Sequence, residues 1–103
     1  MIFRKPFGDL IERQLALFER ENGDLLRTLA AAERDYDRAE RDEAEERFGD
    51  YSDLVETATE VLADLRDHFA ARLDEDAAET YTLAFNRAVL KRWPPFALEL
   101  ENR

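Results

Sequence analysis

Glu60, Asp64 and His68 stand four residues apart, so on a helix they share one stripe. His68 is the sole histidine. Two carboxylates and an imidazole so placed are donors that hold a divalent cation, provided a neighbouring helix adds a further carboxylate. Glu43 with Glu46, Asp53 with Glu56 and Asp64 with Asp67 repeat carboxylate pairs at three-residue spacing. Composition supplies the plainer account. With Asp+Glu at 25 in 103 residues, surface helices carry such triples by chance. A dinuclear carboxylate bundle also usually shows E-x-x-H on two helices, and E-x-x-H is missing here.

A second constellation closes the chain. Arg87, Lys91 and Trp93 stand beside "PPFALELENR", in which Phe96, Leu98 and Leu100 alternate with Ala97, Glu99 and Glu101. The plainer reading is helix-end electrostatics, with Trp93 packed on Pro94 or Pro95. The functional reading is a basic, aromatic-edged patch for an acidic partner segment, a local exception on a chain of net charge -10. Arg87, Lys91, Trp93, Phe96, Leu98 and Leu100 are therefore the partner-binding candidates. Period-two patterning reads as extended backbone, so residues 94–103 are expected to form an extended arm, docked on the protein's own helices or on a twin chain.

These groups have to be positioned by helices. Charged residues are 39% and hydrophobic ones 45%, which favours thin helical layers. Pro6-Phe7-Gly8-Asp9 opens a helix, with Asp9 and Glu12 as a capping-box variant. Ile11, Leu15, Phe18, Asn22, Leu25, Leu29, Ala32, Tyr36 and Ala39 then recur at alternating spacings of four and three, a coiled-coil-like seam. Asn22-Gly23-Asp24 interrupts the seam without changing its phase, which leaves two helices with a tight turn or, favoured by the phase, a continuous or gently kinked helix over 8–47. Unbroken, it would run about 60 Å.

Residues 33–47 are nearly all charge. Asp37–Arg41, Arg38–Asp42, Arg41–Glu45 and Glu43–Arg47 are opposite charges at i, i+4. Such a run reads as a solvated helix; a charged arm for a basic partner is the other reading. Phe48-Gly49-Asp50 is expected to end the helix, with Asp50 or Ser52 capping the next over 51–73. Asp76 and Glu79 would box the start of a third helix over 76–93, ended by Pro94.

The fold expected is therefore all-α: one domain, a bundle of a long N-terminal helix, a two-helix hairpin and the arm. The first seam outruns what the hairpin can cover, so a homodimer is expected. The negative charge repels phosphate backbones and anionic lipid, so neither nucleic acid nor membrane is an expected partner. With no cysteine, disulfides and thiolate chemistry are excluded. "MIFRKPFGD" shows no apolar signal core, and the cytoplasm is the expected location.

Two family patterns bear on function. "LDEDAAETYTLAFNRAVLKRW" resembles, over one helix, the closing helix of nucleotide pyrophosphatases of the MazG kind. The resemblance implies an all-α enzyme with magnesium held by carboxylates on facing helices. The paired E-x-x-E and E-x-x-D motifs of that family do not fall at matching positions. A small acidic bundle with one histidine also resembles a histidine phosphotransfer domain, but Phe69, Ala70, Ala71 and Arg72 replace the Lys and Gly that follow its histidine. No Gly-rich phosphate loop or nucleophile elbow occurs. The function expected is a non-catalytic interaction or regulatory module without a cofactor; the alternative is a small metal-dependent enzyme.

Overall fold

Asn22 decides the architecture. The computed structural model describes residues 6–103, in which α1 (Gly8–Glu21), α2 (Gly23–Asp37), α3 (Ala44–Ala70), α4 (Glu75–Arg92) and α5 (Pro94–Glu101) form an all-α bundle with no strand among the described residues. The backbone N–H of Asn22 and its side-chain Nδ2 both donate to the Phe18 carbonyl at 2.9 Å, closing α1. The Asn22 carbonyl accepts from the Leu26 N–H at 3.0 Å and opens α2. One residue thus ends one helix and starts the next.

The kink sends α1 along α4 and α2 along α3. Ile11, Leu15 and Phe18 are buried with α4, Leu29 is buried as well, and Leu25 packs half-buried on the same core. The seam that prompted the expectation of a homodimer is folded in two, and its Ile11, Leu15, Phe18 and Leu29 are buried within one chain while Tyr36 stays partly exposed. That geometric reason for a second copy is removed.

The turn expected at Phe48-Gly49-Asp50 lies earlier, at residues 38–43, and Gly49 is inside α3. Between Tyr36 and Ala44 only Ala39 is apolar, so little burial rewards further helix. Turning there lets Tyr36 stack on Tyr51, with ring centroids 6.5 Å apart, and meet Phe48 at 5.4 Å. None of the four expected i, i+4 ion pairs forms among the described residues. Arg47 faces Asp50 instead, at 3.8 Å.

The 27 residues of α3 make a spine of about 40 Å. α2 packs along it, and α4 and α5 pack on it as well. Val55, Ala58, Leu62 and Ala63 face the core, and the Thr59 hydroxyl is satisfied by the Val55 carbonyl at 2.7 Å. Asp74, not Asp76, caps α4: its carboxylate accepts from the Ala77 N–H at 2.9 Å. Phe7, not Asp9, occupies the N-cap of α1, at φ 61°. A non-glycine residue is uncommon in that left-handed region. Its ring meets Tyr81 edge-on at 5.5 Å.

The expected extended arm is a helix. Pro94 and Pro95 sit in the first turn of α5, where missing N–H groups cost nothing and a fixed φ suits the helix. Phe96, Ala97 and Leu100 are buried on one face, at helical spacing i, i+1, i+4. Eight residues fit either period, and burial against α3 and α4 selects the helical one. No helix among the described residues is long and apolar enough to cross a membrane.

Candidate functional site

Glu60, Asp64 and His68 do share one stripe of α3, and all three are exposed. The core side of α3 runs through Val55, Ala58, Thr59, Leu62, Ala63 and Arg66, so the stripe faces away from the packed helices. Among the described residues no three His, Asp or Glu side chains are grouped to hold a metal ion.

The partner-binding candidates separate into two classes. Phe96 and Leu100 lie in the core, so neither is available to an outside partner. Trp93 is half-buried, edge-on to Phe18 at 5.3 Å and 6.1 Å from the Phe96 ring. The Arg92 guanidinium lies 5.2 Å from the Trp93 ring centroid and reaches Glu19 at 3.4 Å and Glu12 at 3.8 Å. Leu98 is 72% exposed. Arg87 and Lys91 are exposed, and neither makes an ion pair among the described residues.

Arg87 and Lys91 border a groove along α4. α4 buries Tyr81, Phe85 and Val89 on one side. On the other side Leu83 is 52% and Leu90 48% exposed, so the helix is apolar on two faces. With Thr80, Ala84 and Ala88 they line a groove of about 710 Å³, bordered by Pro6 and Glu12 from the α1 side and by Arg87, Lys91 and Arg92 from α4. Such a surface offers apolar area beside cations.

No protein-family model matches this chain, and no curated protein or solved structure matches it. Function has to be argued from the surface itself.

Two buried polar centres hold the groove's backing in place. Arg66 is 2% exposed. Its Nη1 donates to Asn86 Oδ1 of α4 and to the Leu100 carbonyl of α5, each at 2.9 Å, and its Nε donates to Asp67 at 2.8 Å. One guanidinium therefore ties three helices. The Tyr81 hydroxyl donates to Gln14 Oε1 at 2.8 Å and links α4 to α1, and burial pushes that hydroxyl above its ordinary value of 10.0. Tyr51 is raised too, by burial and then by the Glu33 and Asp37 carboxylates.

The sequence reading passed over Arg66, though a signal existed. Val55, Thr59, Leu62, Arg66, Phe69 and Leu73 alternate four and three along α3. An arginine in that register stands on the core side and requires buried acceptors.

Proposed function

We propose that this protein is a non-catalytic helical interaction module whose working surface is the groove along α4 and the start of α1. The observation that carries this reading is the placement of Leu83 and Leu90, both about half exposed, beside Arg87 and Lys91, which make no ion pair among the described residues. Fully burying a leucine is worth roughly 1.5–3 kcal/mol, so covering the exposed half of two of them supplies useful affinity. The flanking cations add partner choice more than strength. The Arg66 and Tyr81 centres keep α4 fixed, which lowers the ordering cost of binding.

A photo-crosslinking residue placed at Leu83 tests this in the native host. Discrete adducts from position 83, absent when the same residue replaces Glu56 on α3, are the expected result. Indistinguishable adduct patterns from the two positions would remove the reading. The enzyme class has its own test by calorimetry with magnesium, manganese and zinc. Saturable binding abolished by Asp64→Ala with His68→Ala would favour a metal site over a docking module.

A further inference from the structure

We infer that the occupant of the α4 groove is an acidic amphipathic helix of another protein. It would lay two leucine-sized side chains against Leu83 and Leu90 and set carboxylates opposite Arg87 and Lys91. This rests on the groove being the docking surface and adds the chemistry of the partner.

Spacing argues for a helix. Thr80, Leu83, Arg87 and Leu90 follow one another at three, four and three residues, the rhythm of a helix–helix seam. Leu83 and Leu90 are seven residues apart, about 10 Å along the axis, which an i, i+7 pair on a partner helix matches.

Charge sets the sign. Glu12 and Glu19 are both engaged by Arg92, at 3.8 and 3.4 Å. Among the described residues Arg87 and Lys91 have no such partner, so there the groove carries uncompensated positive charge. The chain's net -10 does not cancel this locally, since exposed charges are screened beyond about 8 Å at physiological ionic strength. The two other occupants have the wrong sign. A second copy paired two-fold about the middle of the groove would set Arg87 against its own kind. Residues 1–5 of this chain bring Arg4 and Lys5.

The experiment uses the full chain and two labelled peptides of about 14 residues, roughly four helical turns. Both carry leucines seven apart; one is flanked by glutamates and the other by lysines. Anisotropy titration should show the glutamate peptide binding at least about tenfold more tightly. Arg87→Glu with Lys91→Glu should reverse that order, and Leu83→Asp should weaken the glutamate peptide about tenfold or more. Leu98→Asp on α5 should leave it unchanged. Circular dichroism melts establish that each variant is folded before its titration is read.

Equal binding of both peptides, or none up to about 1 mM, would overturn the proposal. Self-association in sedimentation that disappears with Leu83→Asp would assign the groove to a second copy instead. Peptide binding that appears only after removal of residues 1–5 would assign it to the chain's own start. Crosslinks at position 83 without binding of the glutamate peptide would sink the acidic occupant and leave the docking surface standing.

Discussion

Arg66 and Leu100 are 34 residues apart in the chain, and the guanidinium of the first donates to the carbonyl of the second at 2.9 Å. A group that is 2% exposed thereby braces the last turn of α5, on a carbonyl that also accepts from the Arg103 N–H at 3.2 Å. Removing it strands Asn86 Oδ1 and leaves the Leu100 carbonyl with the Arg103 N–H alone. An unpaired buried group costs roughly 1–3 kcal/mol, so Arg66→Ala is expected to lose about 2 kcal/mol in urea denaturation. Arg66→Lys keeps the charge without the planar fork and should fall between. An unchanged midpoint for Arg66→Ala would show that α5 does not depend on this tie.

The helical form of the last segment separates two apolar neighbours. Phe96 is 2% exposed and packs in the core, whereas Leu98 is 72% exposed. Phe96→Ala should cost about 3–5 kcal/mol, the usual loss for a large buried aromatic. Leu98→Ala should stay within about 0.5 kcal/mol. An extended arm would have put both side chains on one face, so similar losses at the two positions would argue for it.

Gly49 stands in mid-helix with open space where a Cβ would be. Gly49→Ala should stabilise by about 0.5–1 kcal/mol, through lower entropy in the unfolded chain. For a domain of this size that raises Tm by several degrees, about 4–8 °C per kcal/mol, as scanning calorimetry can measure. At Gly23 the added methyl meets the Arg27 guanidinium at 3.2 Å, a contact that a mobile side chain can relieve. Gly23→Ala should gain less.

Burial of Tyr81 has a pH consequence. The folded-state pKa lies above the ordinary 10.0, so the unfolded chain loses that proton first. Stability from this group is fully present below about pH 10 and falls as pH rises beyond it. Tyr51, raised in the same direction, adds to the fall. Tyr81→Phe should flatten the alkaline limb of a stability–pH curve. At neutral pH it should cost about 1 kcal/mol for the bond lost to Gln14. A variant whose alkaline limb matches that of the parent would place the titration elsewhere.

Much of the fold is legible in the order of residues. The alternation of Ile11, Leu15, Phe18 and Leu29, and of Val55, Ala58 and Leu62, marks helices because period and burial agree; these residues are in the core. Asn22 and Gly23 are marked by type as a candidate break, while the unbroken phase of the seam favours a continuous or gently kinked helix; the packed chain has two helices there. Arg87 and Lys91 stand out as cations on an acidic chain, and the structure leaves both exposed and without an ion pair among the described residues. Apart from the choice at Asn22, local chemistry suffices, since periodicity and charge act over a few residues.

Other features needed the assembled chain. Whether the α2 helix stops at Asp37 or runs on to Arg47 depends on Tyr36 reaching Phe48 and Tyr51, a contact between helices. "PPFALELE" fits two periods, and packing on α3 and α4 makes it α5. That choice places Phe96 and Leu100 inside and leaves Leu98 out. Arg66 has a role only because Asn86 and Leu100 arrive beside it. The groove along Leu83 and Leu90 likewise exists because α1 lies against the opposite, aromatic side of α4 and leaves this side uncovered. Periodicity records which residues favour burial; which of them find a partner is settled only when the helices pack, because burial is a property of pairs of surfaces.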